Sequence, residues 1–319
     1  MKVSILIPTY NRIDYLRRSL GSARNQTHAN LEILVSDNGS TDGSQDYVRS
    51  VAASDPRVRL LPKNPNPGMF NNFNHLLSHS IGEAFAFLCD DDMYAPTLIE
   101  ELIKPMVSDP KVHIAFSDHW IVDSTDAIQQ EASDRSSIRF GRDRLPGGPL
   151  QDPIASVLRG SLCIVFTLHR SKQCRAERFD PSLGGAADLD FQLRTVERGT
   201  VFYVPQRLGL YRAHATSASS TQTRFMYDGI VAAYTKHPMK SPAHEALRTE
   251  RIRITHRRMA AWASSRDRAL YHEAIAAYRR CGGNPYHPEA LGATLLGSIP
   301  ERLSARLAAA LRSIRSWRR

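Results

Sequence analysis

Apolar residues fall into two rhythms along the first 215 positions. Short β-rich runs, VSILIP (3–8), LEILVSD (31–37), RVRLLP (57–62) and AFAFLC (84–89), have the length of strands. Between them the apolar residues recur at helical spacing. Ile13, Leu16, Leu20 and Ala23 mark a helix over 12–25, Tyr47, Val48 and Val51 mark one behind the capping residue Asp42, and a third falls near 69–80. Strand and helix alternating at such short intervals predict a parallel sheet with helices on both faces. Ligands of such sheets bind beyond the carboxyl ends of the strands.

After Asp92 the alternation loosens. A helix near 97–108 leads to strands near 112–117 and 119–123, and strands near 163–168 and 201–205 flank a helix near 188–198. Residues 130–153 are polar and rich in Gly and Pro, which predicts a long surface loop. From 216 onward the pattern is helical, over 222–236, 244–263, 266–281, 288–296 and 301–317, and there is no internal repeat. The expected organisation is an α/β domain over 1–215 and a helical region over 216–319.

Composition narrows the class. With 319 residues, 42% hydrophobic and 23% charged, the chain has the make-up of a soluble globular protein of one large or two modest domains. That excludes a largely disordered chain and a polytopic membrane protein, since no apolar run approaches the ~18–20 residues of a span. The opening residues lack the pattern of a signal peptide. Cys89, Cys163, Cys174 and Cys281 form no CxxC pair and read as reduced thiols of a cytoplasmic protein.

Charge is distributed unevenly. Residues 1–250 carry 28 basic and 28 acidic side chains, whereas 251–319 carry 14 arginines and 4 acids, so the whole excess of +10 lies at one end. Residues 301–319 (ERLSARLAAALRSIRSWRR) place Leu303, Leu307, Ala310, Leu311, Ile314 and Trp317 on one side of a helix, with arginines flanking and opposite. Such a helix suits an anionic membrane interface, with a peripheral location on the inner face of the cell membrane. The other use of it is packing against the rest of the chain. No nucleic-acid motif accompanies the charge, so nucleic acid is not an expected partner.

The expected strand ends collect polar groups: Thr9-Tyr10-Asn11-Arg12, then Asp37-Asn38-Gly39-Ser40-Thr41-Asp42, then Asp90-Asp91-Asp92. Each set alone reads as a cap or turn. Three adjacent carboxylates after an apolar strand repel one another unless a cation or donors compensate. Hard oxygen ligands at that place suit Mg²⁺ or Mn²⁺ holding a phosphate.

The segments VSILIPTYNR (3–12), LVSDNGSTDGS (34–44), NPGMFNNFN (66–74) and FLCDDDMYAPTLIEEL (87–102) resemble, in order and spacing, the signatures of family-2 inverting glycosyltransferases. The resemblance covers roughly residues 3–215. It implies the α/β GT-A fold of nucleotide-diphospho-sugar transferases, a Rossmann-like mixed sheet flanked by helices, here with a helical C-terminal extension. It also implies transfer of a hexosyl or deoxyhexosyl group from a nucleoside-diphosphate sugar to a glycan or lipid-linked acceptor, with Mn²⁺ or Mg²⁺.

Residue by residue, the resemblance assigns Pro8, Thr9, Asn11 and Asp37 to the nucleotide. An Asp at 37 can accept the imide N–H of uracil or thymine. Asn66, Gly68 and Asn74 match the family's N-x-G segment, although Asn72-Phe73 stands where Ala-Arg is usual. In the acidic motif Cys89 replaces the first Asp. Asp91 then matches the metal carboxylate, Asp90 the position near ribose or metal, and Asp92 a second metal or loop-orienting position. The thiol of Cys89 is a poor ligand for a hard cation, so packing at the strand end is expected of it. Gly184-Gly185-Ala186-Ala187-Asp188-Leu189-Asp190 resembles the acidic pair opening a helix, with Ala187 in place of Glu, Asp188 as catalytic base and Asp190 in reserve. Tyr211-Arg212-Ala213-His214 matches a segment whose His touches metal or diphosphate and whose Arg adds positive charge. His119 and Trp120 are candidates for the acceptor side, a core or interface role being equally open for Trp120.

Two other functions compete. Cys89 and Ala187 would suit a nucleotide-sugar-binding scaffold without catalysis. A nicotinamide-dependent oxidoreductase shares the alternation but lacks its G-x-G-x-x-G, since P-T-Y-N-R follows the first strand.

Overall fold

A computed structural model describes residues 1–62, 66–214, 217, 223–284 and 287. The chain divides into two compact units, Met1–Thr221 and Gln222–Arg319. The first unit opens with β1 (Val3–Thr9), α1 (Ile13–Arg24), β2 (Leu31–Asp37), α2 (Ser44–Ser54), β3 (Val58–Pro62), α3 (Met69–His79) and β4 (Ala84–Phe87). It continues through β5 (Met93–Tyr94), α4 (Leu98–Ser108), β6 (Val112–Val122), α5 (Gln130–Phe140), β7 (Gly148–Pro149) and α6 (Pro153–Arg159). Then come β8 (Thr167–Arg170), α7 (Ser171–Cys174), α8 (Ala187–Thr195) and β9 (Thr200–Arg212).

One sheet joins these strands in the order β3-β2-β1-β4-β8-β6-β9-β5, with β7 alongside β9. β1 is buried at all seven positions because it pairs on both sides, with β2 and with β4, and is covered on both faces. The first four strands are parallel, as the alternation predicts. Beyond β4 the sheet is mixed: β8 runs antiparallel to β4 and β6, whereas β6 and β9 are parallel. The alternation's parallel pattern holds over β1–β4, and the sheet as a whole is mixed, as the resemblance implies.

Chain order fixes where a ligand can enter. From β1 the chain moves outward to β2 and β3, then crosses back to β4 on the other side. The carboxyl end of the β1–β4 gap is therefore a topological switch point, the crevice such sheets offer to ligands. Register sets what gathers there. Thr9 is level with Asp37, and the Leu6–Phe87 pairing carried three residues on brings Asp90 level with Thr9. Beneath it, Phe70 and Phe73 of α3, Phe87, Phe179 and Phe191 of α8 pack ring on ring, with Phe179 and Phe191 stacked at 4.5 Å.

Four sequence expectations are corrected. Residues 130–153 are not a loop but carry α5, β7 and the start of α6. The buried positions of α5 are serines: Ser133 Oγ accepts the Ile121 amide at 2.9 Å, and Ser137 Oγ donates to Asp118. A hydrophobic pattern cannot report such a face. The strands at 112–117 and 119–123 are one strand, β6, irregular around Asp118. The strand near 163–168 begins as a 3-10 turn at Ile164–Phe166, and the one near 201–205 runs on to Arg212.

The second unit contains α9 (Thr223–Lys236), α10 (Pro242–Ala263) and α11 (Arg268–Arg280). Its core is Met259, Ala260 and Ala263 against Leu270, Tyr271, Ala274, Ile275 and Tyr278. The helices expected at 288–296 and 301–317 lie outside the described residues, and among the described residues no helix is long and apolar enough to cross a membrane.

Gly209 in β9 faces Phe166 so closely that an added Cβ would meet the ring at 2.1 Å. Gly209→Ala should destabilise the first unit by about 1–3 kcal/mol, lowering its thermal midpoint by roughly 2–10 °C in a calorimetric melt.

Candidate active site

Three consecutive carboxylates follow β4, and side chains from both ends of the first unit bind them. Thr9 Oγ1 donates to Asp90 Oδ2 at 2.9 Å. Arg12, at the entry to α1, places Nη1 2.6 Å from Asp91 Oδ2 and 3.5 Å from Asp90 Oδ1. His214 Nε2 lies 3.0 Å from the same Asp91 oxygen. Asp92 Oδ1 accepts the backbone amide of Arg212 at 2.9 Å. Pairing of Met93 with Leu210 in antiparallel β5 and β9 brings Arg212 to that level.

Gathering these acids has an electrostatic cost. Burial and the Asp91 charge push Asp90 up to about 7, against the pull of Arg12 and the Thr9 hydroxyl. The same two causes push Asp92 well above the carboxylate range. Burial and the three acids also push the Cys89 thiol upward. Cys89 is half-buried, and its Sγ and one carboxylate oxygen each of Asp91 and Asp92 lie within 4.8 Å of one another. Cys89 thus packs at the strand end beside the acidic cluster. Two carboxylates at that spacing suit Mg²⁺ or Mn²⁺, and a cation there would relieve the repulsion the raised carboxyls record. The donor set therefore fits the metal.

Arg212 is buried, 1% exposed, and acts as a brace. Its Nε donates to the Asp91 carbonyl and Nη1 to the Asp123 carbonyl, both at 2.8 Å, and it pairs with Asp126. The guanidinium expected at a diphosphate is thus spent on the acidic loop.

The expected nucleotide residues separate into tied and untied groups. Pro8 is buried in β1 opposite Ser36. Asn11, with φ of 51°, ties two loops: its amide donates to Ser40 Oγ and its Oδ1 accepts the Thr41 amide, each at 2.8 Å. Asp37 is fully buried. Its Oδ1 accepts from the Gly39 and Ser40 amides and from Gln45, whereas Oδ2 has no donor among the described residues. Gly68 precedes α3 at φ 94° and ψ 165°, a region open essentially to glycine alone. Asn74 clasps Phe179, donating to its carbonyl and accepting its amide, so it serves the aromatic core.

Asp188 and Asp190 open α8 and differ sharply. Asp190 is fully buried and pairs with Arg194 at 2.8 Å, so the reserve base is committed to structure. Asp188 is half-buried, and its Oδ1 accepts the amide of Leu189 at 2.8 Å. Desolvation raises its pKa to about 6, with backbone amides acting in the opposite sense. The Cys163 thiol, itself pushed up to about 12 mainly by burial, feels the charges of both Asp92 and Asp188, so the two acids share one neighbourhood. Towards the expected acceptor side, Arg207 covers the Trp120 ring at 4.5 Å, and buried His119 leaves Nδ1 without a hydrogen-bond partner among the described residues. The structure thus gathers Thr9, Asp90, Asp91, Asp92, Arg212 and His214 into one network. It adds Arg12, which the sequence reading quoted within its motif but gave no task, and Cys163, which no pattern marked.

A mixed sheet with a carboxylate-rich switch point and a carboxyl opening a nearby helix is the frame of GT-A glycosyltransferases. Residues 4–157 match the profile of Glycosyl transferase family 2. Chondroitin synthase of Pasteurella multocida is 36% identical over 107 residues, which are 34% of this chain and 11% of that protein. An uncharacterised Mycobacterium tuberculosis protein is 30% identical over 232 residues, 69% of each chain. Staphylococcus aureus TarS, crystallised as residues 1–349 with UDP-GlcNAc, superposes with a TM-score of 0.66 at 15% identity, over 88% of this chain and 81% of that one. Mannosyltransferase PcManGT from Pyrobaculum calidifontis, in complex with GDP-Man and Mn²⁺, superposes with a TM-score of 0.60 at 17% identity, over 98% and 87%. Residues 4–157 are a glycosyl transferase family 2 domain.

Asp188 and Asp190 should respond oppositely to substitution. A carboxyl whose folded pKa is raised from 3.8 to about 6 removes stability as pH rises through that window. Asp188→Asn should therefore raise the melting temperature at pH 8, and the gain should vanish below pH ~4, where the group is protonated in both states. Asp190→Asn breaks a buried pair and should cost about 3–5 kcal/mol at pH 8.

Proposed function

We propose that the protein moves a hexosyl or deoxyhexosyl group from a nucleoside-diphosphate sugar to an acceptor hydroxyl, with inversion and with Mn²⁺ or Mg²⁺. One observation carries this reading: Asp188 is a carboxyl without a cationic partner among the described residues, held near pKa 6, in the neighbourhood of the acidic strand-end cluster. A base with that pKa is ionised at neutral pH and accepts a proton more readily than an ordinary carboxylate.

Asp188 takes the acceptor proton as the hydroxyl oxygen attacks the anomeric carbon. A single displacement needs no covalent intermediate and no second nucleophile. Asp91 and Asp92 would hold the cation, with His214 beside Asp91, and Thr9 would orient Asp90 at the ribose side. A cation held there would supply positive charge against the departing diphosphate. Asp37 Oδ2, a buried acceptor without a donor among the described residues, suits the imide N–H of a uracil or thymine base or a ribose hydroxyl.

The transferase machinery lies in residues 1–215. Residues 216–319 form the extension whose basic end, 301–319, brings the enzyme to an anionic membrane on its cytoplasmic side, where a lipid-linked or glycan acceptor is held. The names of the Pasteurella relatives favour cell-surface polysaccharide as the product.

A panel of UDP-, GDP- and dTDP-sugars should give Mn²⁺-dependent thermal stabilisation with one nucleotide, about 2.7 kcal/mol at 100 times its dissociation constant. Asp91→Ala should lose it. Asp188→Asn should keep it while kcat falls roughly 10²–10⁴-fold. Wild-type kcat/KM should fall about tenfold per pH unit below pH ~6, as Asp188 protonates. Donor binding without turnover on any glycan or lipid-linked acceptor would instead support a sugar-nucleotide-binding scaffold.

A further inference from the structure

We infer that Arg12 is a built-in competitor for the divalent cation, holding the acidic cluster charge-balanced until a metal and an anionic donor arrive together. The inference rests on the reading that Asp91 carries the metal. Arg12 Nη1 lies 2.6 Å from Asp91 Oδ2 and 3.5 Å from Asp90 Oδ1, so one guanidinium spans two of the three acids. His214 Nε2 already takes up the same Asp91 oxygen at 3.0 Å. A dication on Asp91 would face the guanidinium across a few ångströms, and like charges at that distance repel strongly where water is scarce.

Burial decides which cation yields. Arg212, 1% exposed, is tied to the carbonyls of Asp91 and Asp123 and to Asp126, so it stays. The Arg12 side chain is 26% exposed and stands at the N-terminal entry of α1, less deeply held than Arg212. Once released, its planar fork matches phosphate oxygens in bidentate fashion. Metal alone must displace that positive charge from its two carboxylate partners. Metal arriving with a diphosphate gives that charge a new one. The cluster thus takes its metal weakly by itself and firmly with the donor.

Mn²⁺ binding without nucleotide, followed by the loss of the free-ion EPR signal, tests this in the full chain. Arg12→Met should bind Mn²⁺ about fivefold more tightly than wild type, equivalent to ~1 kcal/mol. Arg12→Gln, which keeps donors without the charge, should show the same gain, and Arg12→Lys should stay near wild type. Equal or weaker Mn²⁺ binding by Arg12→Met and Arg12→Gln would overturn the inference, and loss of binding in Asp91→Asn would leave the metal reading standing. Wild-type affinity in Asp91→Asn, or no binding by either the wild type or Arg12→Met, would overturn both.

Discussion

The structure turns on placing three consecutive carboxylates at the end of a strand buried in the middle of a sheet. Left to themselves, Asp90, Asp91 and Asp92 would drive this edge apart, and two of them carry the strain as raised pKa values. The fold answers with groups brought from far along the chain. Arg12 comes from the entry to α1, and Arg212 and His214 from the end of β9, more than a hundred residues beyond the acids. Each depends on a separate register. The β1–β4 pairing brings Thr9 and Arg12, and the β5–β9 pairing brings Arg212. A one-residue slip in either pairing would turn those side chains to the other face of the sheet. The site is therefore a consequence of the sheet's register.

Satisfaction of polar groups separates scaffold from chemistry. Asn11, Asn74, Asp190 and Arg212 are polar residues in suggestive positions, and each is consumed by bonds that hold loops or helices in place. Asp37 Oδ2 and Asp188 are different. One is a buried acceptor with no donor among the described residues, and the other is a carboxyl that, among the described residues, accepts only from backbone amides. An unsatisfied buried acceptor costs stability, and native proteins keep few of them. Retaining such groups where ligands enter is consistent with a ligand completing the set.

The first half of the chain was legible because its periodicity and its packing coincide. β1, β2 and β4 are apolar on both faces since each is covered on both, and the turns after them are made of residues with turn chemistry. The second half was less legible wherever burial is polar. α5 buries Ser133 and Ser137, and Arg142 is buried on Asp118 at 2.6 Å, so the region from 130 reads as solvent-exposed although it packs along β6. The site divided the same way. Motif positions singled out Asp91, Asp188 and His214 as candidates, but a motif carries no hydrogen-bond partners. It could not tell that Arg212 faces inward, that Asn74 serves the core, or that Arg12 spans the acids.

Asp188 and Asp190 show what a two-residue step on a helix does. Successive positions turn by about 100°, so residues two apart point to nearly opposite sides. Asp190 meets Arg194 one turn on and disappears into the core, while Asp188 is left near the strand-end acids. Ala187, wholly buried, stands where the family pattern has Glu. A carboxylate at 187 would add a second negative charge beside Asp188 and raise its pKa further, towards a base protonated at neutral pH. The alanine leaves Asp188 shifted by desolvation alone, to a value at which it is still ionised at neutral pH. The departure that most suggests lost catalysis thus leaves a single carboxyl with the pKa that the proposed proton transfer calls for.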